Sequence, residues 1–126
     1  MYPEIKPGLY LVSLPVGCLS DISFRALHML SNSDYVAGED TRSVRSLFKL
    51  LKISKSIKSI ISYHDHSSAH TRGKIIELIK RGKSVALVSD AGTPLISDPG
   101  YKLVKTTIQE GFEVFSVPGP SSVIAA

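Results

Sequence analysis

The sequence predicts an α/β fold: a three-layer domain with a five-stranded, mostly parallel sheet and helices on both faces. Three observations predict it. Short apolar runs rich in Val, Ile and Leu alternate with longer segments of helical period, the signature of strand–helix–strand units. The apolar runs do not alternate with polar residues, as expected for strands buried on both faces. Finally, the unusual polar residues collect just after these runs, where parallel sheets carry their ligands.

Leu9–Val12 is the first expected strand, entered through Pro7-Gly8 and left through the turn-forming Pro15-Val16-Gly17. Asp21 is placed to cap a helix running to about Leu30, with Ile22, Ala26, Leu27 and Leu30 on one face. Asp34–Gly38 is the second strand and delivers Glu39-Asp40-Thr41-Arg42 at its end. Thr41 is the expected cap of the next helix, where Val44, Leu47, Phe48 and Leu51 recur at helical spacing. Ser59–Tyr63 reads as the third strand and leads to His64-Asp65-His66. A helix over 68–80 then buries Ile75, Ile76 and Ile79, and Gly82 supplies a left-handed stop. Val85–Val88 is the fourth strand. It opens into Ser89–Gly100, a loop with two carboxylates, two glycines and two prolines, far longer than an ordinary connection. Asp98 at the cap and Pro99 at the first helical position start the last full helix, with Leu103, Val104 and Ile108 inside and Gly111 past its end. Glu113–Val117 is the fifth strand, followed by Pro118-Gly119-Pro120-Ser121-Ser122. This loop and Ser89–Gly100 are expected to leave neighbouring strands and wall a crevice. Val123–Ala126 reads as the first turn of a further helix, so the 126 residues form a single domain of a chain that continues.

Composition narrows the class. With 43% hydrophobic and 21% charged residues the chain falls among soluble globular proteins. No run approaches the length of a membrane span, and the first residues lack the apolar core of a secretory signal. A lone cysteine, Cys18, precludes an internal disulfide and fits a reducing compartment, so the expected location is cytoplasmic, with no membrane partner. Arg42, Arg45, Lys49, Lys52, Lys55 and Lys58 form a basic strip interleaved with serines. Such a strip suits a phosphate backbone, and it equally describes a solvated helix face.

The motifs exclude several chemistries. The three-glycine dinucleotide fingerprint and the phosphate P-loop are absent. His64 and His66 alternate along an extended strand end and point apart, so no metal is expected there. What remains is a crevice of Pro/Gly loops and carboxylates, suited to a small cationic or zwitterionic ligand.

Glu39-Asp40-Thr41-Arg42, Ser62-Tyr63-His64-Asp65-His66, Ser89–Gly100 and Pro118-Gly119-Pro120-Ser121, in this order, resemble the tetrapyrrole methylase superfamily. Within it they are most similar to the branch that methylates a ribose 2′-hydroxyl of a cytidine in small-subunit ribosomal RNA. The resemblance runs from about Gly8 to Ala126 and covers the amino-terminal of that branch's two α/β domains. Two places depart from the pattern: Leu14-Pro15-Val16-Gly17-Cys18-Leu19 stands where the branch usually reads Thr-Pro-Ile-Gly-Asn-Leu, and Ser67-Ser68 follow His66 where it tends to place Asn and Glu. The resemblance implies S-adenosylmethionine as cofactor, a homodimer, and small-subunit rRNA or the ribosomal subunit as partner. It implies cofactor contacts from Pro15, Gly17, Asp90, Ala91, Gly92, Thr93, Pro118, Gly119, Pro120 and Ser121. The expected general base is Glu39 or Asp40, then His64 or His66. Arg42, Arg45 and Lys49 are the expected RNA contacts. For Asp40 and Asp98 the competing role is helix capping. Two rival functions remain: a non-catalytic RNA-binding or dimerisation module, and a methylase of a tetrapyrrole.

Overall fold

A computed structural model of the chain describes residues 4–14, 22–64, 68–89 and 98–117. Its elements run β1 (Gly8–Ser13), α1 (Phe24–Asn32), β2 (Tyr35–Gly38), α2 (Thr41–Leu50), a 3-10 turn (Ile57–Ser59), β3 (Ile60–Ser62), α3 (Ser68–Lys80), β4 (Ser84–Ser89), α4 (Asp98–Gln109) and β5 (Val114–Val117). The strands form one sheet in the order β3-β2-β4-β1-β5, and every pair is parallel. The carboxyl ends of all five strands therefore lie along one edge.

The side-chain period of two divides each strand between two cores. On one face Tyr10, Val12, Val36 and Ala86 meet Ala26, Met29 and Leu30 of α1 and Val44, Leu47 and Phe48 of α2. On the other, Leu9, Leu11, Ala37, Val85 and Leu87 meet Ile75, Ile76 and Ile79 of α3 and Leu103 of α4. Both layers follow from right-handed crossovers: the chain moves one way across the sheet after β1 and β2, and back after β3 and β4. At the opposite, amino edge, Ser84 and Asp34 bind each other reciprocally. Ser84 N donates to Asp34 Oδ2 and Asp34 N donates to Ser84 Oγ, each at 2.9 Å, fixing β4 beside the entry to β2.

Several local expectations are corrected. Ser23, not Asp21, caps α1: its side chain accepts from Ala26 N at 3.1 Å, and the helix runs on to Asn32. Asp21 itself lies outside the described residues. Asp40, not Thr41, caps α2, accepting from Arg42 N at 2.9 Å. Ser59 belongs to the 3-10 turn rather than to β3. Helix α4 begins at Asp98, and its inward position is Thr107 rather than the exposed Ile108. Thr107 can be buried because its Oγ1 donates to the Leu103 carbonyl at 2.7 Å, leaving no orphaned hydroxyl. The loops after β4 and β5 do not leave neighbouring strands, since β1 pairs with both and stands between them.

Three helices end on the same pair of backbone bonds. After α3, Lys83 N reaches the Leu78 carbonyl and Gly82 N the Ile79 carbonyl; after α4, Phe112 and Gly111 do the same with Thr107 and Ile108. Gly82 and Gly111 sit at φ 86° and 85°, as this stop requires. Helix α2 closes identically, Ile53 N to Phe48 O and Lys52 N to Lys49 O, with Lys52 at φ 57°. A side chain there crowds its own carbonyl, at a cost of roughly 1–2 kcal/mol. Lys52→Gly is therefore expected to stabilise the fold by about 1 kcal/mol, after allowance for the glycine's freer unfolded state. Chemical denaturation of the two proteins measures it, and an unchanged midpoint would refute it.

Candidate functional site

The carboxyl edge gathers the chemistry. Tyr63 N donates to the Gly38 carbonyl at 2.8 Å, which carries the β2–β3 pairing one step past both strands. Glu39-Asp40 and His64 consequently leave the sheet from adjacent strand ends. Gly38 makes the turn possible. A Cβ on it would lie 2.6 Å from Val44 Cγ2 and 3.1 Å from Val88 Cγ2, so only a hydrogen lets the first turn of α2 pack this close to the end of β2.

The two carboxylates that follow have different surroundings. Asp40 Oδ1 accepts from Arg42 N and lies 3.7 Å from Arg42 Nε, which commits it to the start of α2. Glu39 is exposed, and no cation or hydrogen-bond donor among the described residues engages its carboxylate. His64 is half-buried beside them. His66 lies outside the described residues. So do the expected cofactor residues Pro15, Gly17, Asp90, Ala91, Gly92, Thr93, Pro118, Gly119, Pro120 and Ser121. The strand order still groups the segments they extend. β4, β1 and β5 are consecutive in the sheet, whereas β2 and β3 form the other end. Expected cofactor loops thus follow one contiguous set of strands, and expected acceptor chemistry follows the other.

Ser89, the expected first residue of the long loop, is instead the last of β4, level with Ser13 of β1. Its Oγ is buried with no hydrogen-bond partner among the described residues. A buried hydroxyl without a partner is costly, and at this edge it fits a polar ligand lodged where β1 and β4 end. Ser89 is thus the described residue at this edge whose chemistry fits a small polar cofactor.

The basic strip is only partly a surface feature. Arg42, Arg45 and Lys49 are exposed at helical spacing along α2, on the outer side of the α1/α2 layer. Lys55 is turned inward, and its Nζ donates to the Ser33 carbonyl. Burial pushes the Lys55 pKa down, and the Asp34 carboxylate opposes that shift. Lys55 thus leaves the strip and joins the amino-edge contacts around Asp34.

Comparison with known proteins places this geometry. Residues 8–126 match the family of tetrapyrrole (corrin/porphyrin) methylases. The chain belongs to this family. Among curated relatives, it is 47% identical over 97% of its length to ribosomal RNA small subunit methyltransferase I of Mesorhizobium japonicum, of which it covers 40%. The protein of the same name from Halalkalibacterium halodurans is 41% identical over 96% of this chain, which covers 41% of it. That of Rickettsia prowazekii is 48% identical over 97%, with 42% covered. The chain therefore spans about 40% of the length of these methylase relatives. Diphthine synthase shares the fold, with a TM-score of 0.66 at 17% identity over 88% of this chain and 43% of its own. So does uroporphyrin-III-C-methyltransferase of Thermus thermophilus, with a TM-score of 0.65 at 21% identity over 90% of this chain and 48% of its own. No described helix of this methylase-family chain is long and apolar enough to cross a membrane.

Proposed function

We propose that this chain is the amino-terminal domain of an S-adenosylmethionine-dependent methyltransferase acting on a cytidine ribose 2′-hydroxyl of small-subunit rRNA. The observation that carries the reading is that Glu39, unengaged among the described residues, directly precedes the cationic outer side of α2 at one end of the sheet edge. The names of the relatives, at 41–48% identity, support the RNA substrate. The tetrapyrrole alternative is less favoured because the relatives of 41–48% identity are named for ribosomal RNA, whereas the uroporphyrin methylase shares 21% identity.

Bound S-adenosylmethionine supplies an electrophilic methyl group on a positively charged sulfur. Pro15, Gly17, the Asp90–Thr93 segment and Pro118–Ser121 are the residues proposed to hold it. Glu39 takes the proton of the weakly acidic ribose hydroxyl, a role general bases perform with gains of about 10²–10⁴ in rate. Asp40 holds the first turn of α2 and orients Arg42. Arg42, Arg45 and Lys49 neutralise backbone phosphates and so place the ribose. His64 is proposed to border the acceptor, and His66, outside the described residues, remains a further candidate base. A second copy of the chain is the proposed partner in a dimer, which sedimentation measures.

Calorimetric titration with S-adenosylmethionine, followed by transfer of a labelled methyl group to small ribosomal subunits, tests the reading. Saturable binding and labelling of a cytidine ribose are expected. Because the relatives are longer, a second reading stands: a recognition module for the same RNA. It predicts RNA affinity from a folded chain that takes up no cofactor. In either case the double variant Arg45→Gln, Lys49→Gln is expected to lower the slope of log K against log salt by about 1.4 for a single strand, at roughly 0.7 per phosphate contact. An unchanged slope would remove α2 from the interface.

A further inference from the structure

Helix α3 turns one charged side chain toward its buried side. Ile75, Ile76 and Ile79 are buried beneath it, and Arg72 shares their stripe at positions i, i+3, i+4 and i+7. Arg72 is half-buried, and its Nη1 is fully buried with no hydrogen-bond partner among the described residues. Two exposed cations at the end of the same helix have carboxylate partners: Arg81 lies 3.7 Å from Glu77 and Lys80 lies 3.5 Å from Glu110. A guanidinium does not escape by losing its proton. A buried charged donor left unmatched is destabilising, more so than a neutral one.

Its position indicates what the group awaits. In a parallel sheet each connecting helix starts at the carboxyl edge. Arg72 is four residues into α3, about 6 Å along the axis from Ser68. It stands near the edge that carries Glu39 and His64, but in the layer opposite α2. Cations thus flank the ends of β2 and β3 from both faces of the sheet.

We propose that Arg72 is an oxyanion-binding residue that grips a phosphate of the RNA strand on the far side of the target nucleotide from the α2 strip. Turned out of the core, where its Nη1 has no partner, its guanidinium offers a phosphate a planar fork of charged donors. The strand then crosses the sheet edge, held by Arg42, Arg45 and Lys49 on one face and by Arg72 on the other, with the ribose over Glu39 between them. This rests on the RNA substrate proposed above.

The test uses this chain, Arg72→Gln and Arg72→Met, with a single-stranded RNA oligonucleotide of small-subunit rRNA sequence titrated by fluorescence anisotropy across a salt series. Arg72→Gln is expected to bind about tenfold more weakly, with the salt slope lower by about 0.7. Without RNA, Arg72→Met is expected to melt above the parent, because an unmatched buried charge is gone. An arginine with a purely structural role gives the reverse: a lower melting temperature and an unchanged slope. If the parent binds RNA and Arg72→Gln keeps its slope, the assignment of Arg72 fails alone. If the parent does not bind RNA, the substrate reading fails with it. Loss of S-adenosylmethionine affinity with RNA binding intact would also overturn the proposal, making the oxyanion the cofactor's carboxylate.

Discussion

Gly38→Ala is expected to destabilise the fold by about 3 kcal/mol, a large effect for one methyl group. The added Cβ would stand 2.6 Å from Val44 Cγ2 and 3.1 Å from Val88 Cγ2, both well inside ordinary contact. Neither neighbour has room to yield. Val44 is buried in the first turn of α2, and Val88 packs on the same core from β4. β-Branched side chains are also restricted at χ1, so relief requires α2 to move away from the sheet. That motion would shift Glu39 and Asp40, which lie between the two. Chemical denaturation should show the loss of stability. RNA affinity should fall as well, since the Arg42–Lys49 strip rides on α2. A stability change below about 0.5 kcal/mol would mean that the close approach of α2 is not a constraint of the fold.

The second large effect separates the two carboxylates. Glu39→Gln is expected to lower ribose methylation by about 10²–10⁴-fold with unfolding unchanged, because Glu39 is exposed and holds no structural contact among the described residues. Asp40→Asn is expected to keep the fold and activity within about tenfold, because asparagine caps a helix as well as aspartate does. Asp40→Ala removes the cap and should cost about 1 kcal/mol. The diagnostic quantity is the ratio of kcat losses at the two positions. Equal losses in Glu39→Gln and Asp40→Asn would return the base to Asp40 and make its contact with the Arg42 amide incidental.

Much of the architecture was legible because it is local. Runs such as Val85–Leu87 and Leu9–Val12 have no polar face to expose, and they are buried on both sides. Gly82 and Gly111 announced two helix ends, and both have the left-handed backbone such ends need. The site was legible as a set of strand ends, and Glu39, Asp40 and His64 do lie on adjacent ones. Misreadings arose where two local solutions compete. Ser23 and Asp21 are both good caps, as are Asp40 and Thr41, and the choice depends on which side chain reaches an amide. Thr107 took the inward place of Ile108 because a hydroxyl can satisfy itself on its own helix. Arg72 gives no local signal, because an arginine between Thr71 and Gly73 and ahead of Lys74 resembles solvated surface.

The sequence by itself determined the class of fold, the alternation of strands and helices among the described residues, and the parallel sheet, since hydrophobic period and turn chemistry are properties of neighbouring residues. The tertiary structure alone decided the strand order β3-β2-β4-β1-β5, and hence that β1 separates the ends of β4 and β5. It also decided that Asp40 is held while Glu39 is unengaged among the described residues, and that Lys55 and Arg72 turn inward while Arg45 and Lys49 remain outside. These outcomes depend on pairings between residues far apart in the chain, whose free energy no local pattern records.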